Sequence, residues 1–170
     1  RQFMKRKFTV PVLVFGILLL TVSAVSAAVL NFRAHLSGQY QIPFIVDTKA
    51  QGQAVFQVME DGMDLGYKLN VANIDNVTMA HIHLMPASGS GNGPIIAWLY
   101  PDAPPALLIP GTSNGVLASG VISDQNVLID YNADGVKDLN DLVEAIEAGD
   151  TYVNVHTQAN PGGEIHGPVD

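Results

Sequence analysis

Apolar and polar residues alternate along most of the chain after residue 30, which is the pattern of half-buried β-strands. In "NFRAHLSG", Phe32, Ala34 and Leu36 alternate with polar neighbours and should face the core. In "QAVFQVMEDGMDLGYKLNVAN", the pair Asp61-Gly62 separates two alternating runs and predicts a β-hairpin. Further strands are predicted at "VTMAHIHL", "GPIIAWLY", "VLASGVIS", "TYVNVHT" and "EIHGPV", the last two joined by the turn "ANPGG". The segment "PDAPPALLIPGTSNG" is predicted to be a loop.

One segment, "DLNDLVEAIEAGD", has helical periodicity instead. Its apolar residues are Leu139, Leu142, Val143 and Ile146. Asp138 is the expected N-cap, and Gly149 marks the expected end of the helix. About eight short strands and one short helix before the C-terminal hairpin predict an all-β fold, either an antiparallel β-sandwich or a Greek-key barrel.

The N-terminal segment differs in composition from the rest of the chain. "KRK" is followed by an uncharged run that ends in small residues, which predicts a secretory signal peptide over residues 1–27. Met4 is the expected natural start, and cleavage is expected near Ala27. An uncleaved membrane anchor is the alternative, because residues 8–30 carry no charge and could span a bilayer. Residues 28–170 are then one domain, located outside the cell or at its surface.

Charge and cysteine content narrow the possible functions. Four of the eight basic residues and none of the sixteen acidic residues lie in the predicted signal, so the remaining domain carries a net charge of −12. Such a surface repels nucleic acid and anionic membranes, which excludes both as partners, except for membrane contact through an uncleaved N-terminus. The chain has no cysteine, so disulfides and thiol chemistry are excluded, and core packing or a bound metal must stabilise the domain.

Four of the five histidines form a candidate copper or zinc site. His81 and His83 share one face of a strand, about 7 Å apart, which suits two ligands of one ion. His156 lies on the C-terminal hairpin, and His166 joins it on one face only if the "NPGG" turn has an odd number of residues. The alternative is that these histidines donate hydrogen bonds to loop carbonyls without binding metal. His35, isolated on the first strand, is expected at the surface.

The segment "DYNADGVKDLND" has the spacing of a calcium-binding loop. Positions 1, 3, 5, 7, 9 and 12 are Asp130, Asn132, Asp134, Val136, Asp138 and Asp141, with Gly135 at position 6. The aspartate at position 12, where EF-hands have glutamate, resembles dockerin-type loops and favours weak binding at extracellular calcium concentrations. The alternative is a turn whose acidic residues cap the helix without calcium.

Three segments resemble a CHRD (chordin-type) domain over approximately residues 30–169. They are "LSGQYQIPFIVDTKAQGQAVFQV", "AHIHLMPASGSGNGPIIAWL" and "YVNVHTQANPGGEIHG". The resemblance implies an extracellular all-β domain, found in microbial secreted proteins and in chordin, with no established enzymatic activity. His166 stands where the family usually has arginine, and it either adds a ligand or replaces a structural cation. The cysteine-rich modules of chordin are missing, so growth-factor binding is not implied.

A fainter similarity is to copper–zinc superoxide dismutase. His81, His83 and His156 match its copper ligands in type and order, but no zinc loop, disulfide or substrate-steering arginine is present. The sequence therefore predicts a secreted non-catalytic binding or structural module that a metal can stabilise, with an extracellular copper or zinc metalloprotein as the alternative. No catalytic residue is predicted, and neither the extracellular partner nor the oligomeric state can be inferred from the sequence.

Overall fold

The computed structural model describes residues 30–59, 62–87, 91–128 and 135–170. The predicted signal segment, residues 1–27, lies outside the described residues. The strands are β1 (Asn31–Ser37), β2 (Gln51–Val58), β3 (Leu65–Leu84), β4 (Ile95–Tyr100), β5 (Ile109–Ile122), β6 (Thr151–Thr157) and β7 (Ile165–Pro168), with a 3₁₀ turn (Gly38–Tyr40) after β1 and one helix, α1 (Leu139–Glu147), before β6. No helix in this part of the chain combines the length and apolar character needed to cross a bilayer.

The strands form one antiparallel sheet that closes on itself. Neighbouring strands follow the order β2-β1-β7-β6-β3-β4, β2 also pairs with β3, and β5 pairs with β3. Strands β1, β2, β3, β6 and β7 are therefore linked in a closed circuit of pairings. The expected fold class is confirmed: the domain is an all-β sandwich or barrel with a single short helix before the C-terminal strands, among the described residues.

Strand β3 is twice as long as expected, because two strands predicted separately are one 20-residue strand. Asn73 and Asn76 lie within it at φ values of 55° and 51°, and its register with β5 shifts around both residues. Asparagine tolerates this left-handed conformation better than most residues, so the strand bends there without ending. Its first half pairs with β2 and its second half with β6 and β4.

Strand β5 begins at Ile109, inside the segment predicted to be a loop, so that prediction is wrong for residues 109–115. Ile109 pairs with Val77 of β3, and the pairing continues through Thr112 and Ser113. Within the described sheet β5 pairs only with β3, so it is an edge strand. Proline is tolerated in an edge strand because its missing N–H can lie on the side that has no partner strand, which explains Pro110.

The helix and the C-terminal hairpin agree with the sequence pattern. The Asp138 side chain accepts a hydrogen bond from Asp141 N at 3.0 Å, and the apolar face of α1 is buried. In the hairpin Val155 pairs with Ile165 and Asn154 with His166, which leaves the odd number of residues 156–164 between them. Of the two registers left open by the sequence, the odd one is observed, and His166 lies on the same face of the sheet as Asn154.

Candidate metal centre

Three histidines from two neighbouring strands converge in the interior. His81 and His83 lie on β3, and His156 lies on β6, where it pairs with Met79 of β3. One nitrogen from each ring lies within 4.8 Å of the others. The three residues are 0%, 3% and 4% exposed, respectively. The structure thus brings together three of the four histidines predicted as ligands, and His35 is exposed, as expected.

Backbone carbonyls orient two of these rings. His83 Nδ1 lies 2.9 Å from the Gly93 carbonyl oxygen, and His156 Nδ1 lies 2.9 Å from that of Pro161. Because a carbonyl can only accept, both Nδ1 atoms carry the hydrogen, and in the neutral rings both Nε2 atoms have a free lone pair. Histidine ligands in metal sites are held in the same way by hydrogen bonds from the nitrogen that does not bind the ion. The loop-carbonyl contacts considered as the alternative to metal binding therefore also suit a metal site.

The third ring, that of His81, contacts His156 directly. Its Nδ1 lies 3.3 Å from His156 Nε2 and donates to that lone pair when no ion is bound. Two nitrogens bound tetrahedrally at 2.0–2.1 Å are about 3.3 Å apart, so an ion could replace this hydrogen with little movement of the rings. The Nε2 atoms of His81 and His83 are buried and have no hydrogen-bond partner in the described part of the chain.

The surroundings keep the three rings neutral. Burial, together with the nearby His156 and His83, lowers the pKa of His81 to about 3. Burial also lowers the pKa of His83 to about 4, although its bond to the Gly93 carbonyl acts in the opposite direction. Burial likewise lowers the pKa of His156. The neutral imidazole is the form that binds metal ions, so these rings need not lose a proton at neutral pH.

His166 lies one strand further away. The Tyr152 ring stacks on His83 with centroids 4.9 Å apart and on His166 with centroids 4.0 Å apart. Since β6 lies between β3 and β7, the tyrosine separates the two histidines, and His166 is not one of the three rings that converge. Burial lowers the pKa of His166 to about 4. On the other side of the group, half-buried Trp98 contacts His81 edge-on with centroids 4.2 Å apart.

Two loops that carry the orienting carbonyls are tied to each other. The Asn92 side chain donates to the Gly162 carbonyl at 2.7 Å. The buried Asn154 amide nitrogen lies 3.3 Å from the same carbonyl and 3.4 Å from Asn92 Oδ1. Tyr152 accepts a hydrogen bond from Gly93 N at 2.8 Å. The sequence reasoning missed these supporting residues, although the "NGP" and "NPGG" turns beside the histidines were the available signal.

Glu164 is a buried carboxylate of the C-terminal hairpin, and its hydrogen bonds go to threonine and asparagine side chains. Glu164 accepts hydrogen bonds from the hydroxyls of Thr48 and Thr157, each at 2.7 Å, and from the Asn160 amide at 3.1 Å. Its two oxygens therefore connect the segment after β1 to the turn between β6 and β7. Glu164 is not a member of the three-histidine group.

Only part of the predicted calcium loop can be described. Asp130, Asn132 and Asp134 lie outside the described residues. Asp141 Oδ2 accepts a hydrogen bond from Lys137 N at 2.9 Å, and Asp138 caps the helix. Val136 is buried in the core, 4% exposed. The contacts of Asp138 and Asp141 are those expected of a turn that caps the helix. Calcium binding by this loop stays a prediction.

The comparison with protein families agrees with the fold and with the motifs around the histidines. The family model of the CHRD domain matches residues 32–169, from β1 to the end of the C-terminal hairpin. No curated protein and no solved structure matches the chain. The family match covers all three converging histidines and both loops that orient them. The chain therefore belongs to the CHRD domain family, as its sequence motifs predicted.

Proposed function

We propose that the chain is a non-catalytic extracellular CHRD module whose fold is stabilised by one copper or zinc ion bound to His81, His83 and His156. The observation that supports this most directly is the convergence of three buried, neutral imidazoles whose ligand nitrogens lie within 4.8 Å of one another. The signal-like N-terminal sequence supports the extracellular location.

An ion at this position would remove an energetic penalty. A buried polar atom without a hydrogen-bond partner destabilises a fold by about 1–3 kcal/mol, and the Nε2 atom of His83, the nitrogen of that ring that is free to bind an ion, is such an atom. A bound ion would also cross-link β3 to β6, whose ligands are far apart in the sequence. In an extracellular domain without cysteine, this cross-link takes the place of a disulfide.

The burial of the ligands favours a structural ion over a catalytic one. Catalytic metal sites keep one coordination position open to substrate, whereas structural sites are closed. The three histidines are almost fully buried, with Trp98 against one ring and Tyr152 against another. A redox metalloprotein similar to superoxide dismutase would need access that this arrangement does not favour.

Metal analysis combined with thermal unfolding tests the proposal. The purified protein should contain about one equivalent of copper or zinc, and chelation should lower its Tm, since a ligand at about 1,000 times its Kd stabilises by about 4 kcal/mol. His83→Ala should lose both the ion and the effect of chelation. His35→Ala, at an exposed histidine of β1, should behave as the wild type. A wild-type protein that binds neither ion and whose Tm does not respond to chelation would contradict the proposal.

A further inference from the structure

We infer that the three-histidine centre is selective for monovalent copper over zinc, because the described residues supply it with three buried, uncharged imidazoles and no carboxylate. This inference rests on the proposed function and deepens it by naming the ion. It follows from two features of the site, the charge of the ligands and their number.

The first feature is the absence of a negative ligand. Among the described residues, the group that could hold an ion contains three imidazoles and no carboxylate. The buried carboxylate of the same hairpin, Glu164, accepts hydrogen bonds from Thr48, Thr157 and Asn160 instead. A bound ion would therefore keep its full charge in a region shielded from water. The Born cost of burial rises with the square of the charge, so it is about four times higher for a divalent ion than for a monovalent ion of the same size.

The second feature is the number of donors. Zinc in structural sites takes four ligands in tetrahedral geometry, and the described part of the chain supplies three to this group. A fourth ligand would have to be water or an anion from outside the group, whose rings are packed against Trp98 and Tyr152. Monovalent copper, unlike zinc, is stable with only three ligands, so three imidazoles can complete its coordination, whereas zinc in a structural site would lack its fourth ligand.

The loops that carry the Gly93 and Pro161 carbonyls support coordination by three nitrogens. They hold His83 and His156 with their Nδ1 atoms bonded to carbonyls, which directs both Nε2 atoms to the ion. His81 Nδ1 already lies 3.3 Å from His156 Nε2. One nitrogen from each of the three rings therefore lies within 4.8 Å of the others without any contribution from His166.

Competition titrations with the full chain test the inference. Monovalent copper is titrated without oxygen against bicinchoninate, and zinc against a chromophoric chelator. The wild type should bind one equivalent of monovalent copper about 100-fold or more tightly than zinc. His83→Asp, which introduces a negative ligand, should lower the ratio of copper affinity to zinc affinity by about tenfold or more. His35→Asp, the same change at an exposed position, should leave the ratio unchanged.

The outcomes separate this inference from the proposed function. Zinc binding as tight as monovalent copper in the wild type would overturn the selectivity and leave the metal site standing. The same holds if His83→Asp remains folded by circular dichroism and keeps the wild-type ratio. If His83→Asp does not fold, the wild-type ratio alone decides. A wild type that binds neither ion would overturn the proposed function, and the inference with it.

Discussion

Asn92 is the residue on which the alignment of the two orienting loops most depends. It bonds the loop after β3, which carries the Gly93 carbonyl, to the Gly162 carbonyl of the turn before β7. Residues that hold metal ligands in place typically change metal affinity by 10–100-fold when removed. We therefore expect Asn92→Ala to weaken metal binding by about tenfold or more while all three histidines remain.

Metal titration of matched variants checks this prediction. Asn114→Ala is a suitable control, because Asn114 is also exposed and its side chain also bonds to the backbone of a distant segment, accepting from Asn73 N at 2.9 Å. Equal metal affinity for Asn92→Ala and Asn114→Ala would show that Asn92 does not position the ligands.

Glu164 should matter for stability rather than for metal binding. Glu164→Ala would leave the hydroxyls of Thr48 and Thr157 and the Asn160 amide without their acceptor, so we expect the free energy of unfolding to fall by about 2–4 kcal/mol. Glu164→Gln should be milder, since its amide oxygen still accepts. Urea denaturation of the two variants measures the difference, and an unchanged midpoint for Glu164→Ala would refute this role.

The buried histidines should make the metal-free protein sensitive to acid. In the folded state the pKa of His81 is about 3 and those of His83 and His166 are about 4, whereas unfolded histidines protonate near 6.5. The unfolded chain therefore binds more protons between these values. The stabilisation is complete above about pH 6.5 and is lost as the pH falls toward 4.

Denaturant unfolding at several pH values in the presence of a chelator measures this dependence. Carboxylates also titrate in the lower part of the range, so the comparison is made between variants. His166→Ala removes one shifted histidine that lies outside the three-histidine group and should reduce the slope of stability against pH. His35→Ala should keep the wild-type slope, and identical slopes for both variants would contradict the prediction.

At the scale of elements, the sequence predicted the faces of the strands better than their extents. Alternation placed Ala34 and Leu36 inside and His35 outside, and it placed His81 and His83 on one face of a strand. It could not predict that β3 continues through two left-handed asparagines or that β5 starts next to Pro110. Both depend on pairing between strands distant in sequence, which no local pattern contains.

The same limit applies to the site. The H-x-H pair and His156 were visible in the sequence, but only the antiparallel pairing of β3 with β6 shows that they converge. The position of His166 depended on the hairpin register, which a single residue in the turn would reverse. The carbonyls of Gly93 and Pro161 belong to the backbone, so residue types alone do not identify them.

The N-terminus of α1 offers a test of the calcium loop. Because Asp138 caps the helix, Asp138→Ala should lower the stability by about 1 kcal/mol in the absence of calcium. The calcium interpretation predicts an additional loss of stability when millimolar calcium is present, because Asp138 is also a predicted ligand. Thermal unfolding with calcium and with chelator separates the two effects. Equal losses in both conditions would contradict the calcium interpretation, and no loss in either would contradict the cap.

At the scale of the whole molecule, the three-histidine group lies on strands that belong both to the family motifs and to the closed circuit of the sheet. The segments that resemble the CHRD family contain the ligand strands β3 and β6 and the two loops that orient the ligands. An ion there would fasten two strands of the closed circuit formed by β1, β2, β3, β6 and β7. We therefore expect the family motifs to form the scaffold that holds the three histidines. The chemistry of the histidine group then depends on whether an ion is bound.

The fluorescence of Trp98 during a copper titration tests this account most directly. It is the only tryptophan of the chain, and its ring lies 4.2 Å from that of His81, so a copper ion bound by the three histidines would quench it. The account predicts quenching that is complete at about one equivalent of copper and absent in His156→Ala. Fluorescence that does not change in the wild type, or that falls equally in His156→Ala, would contradict it.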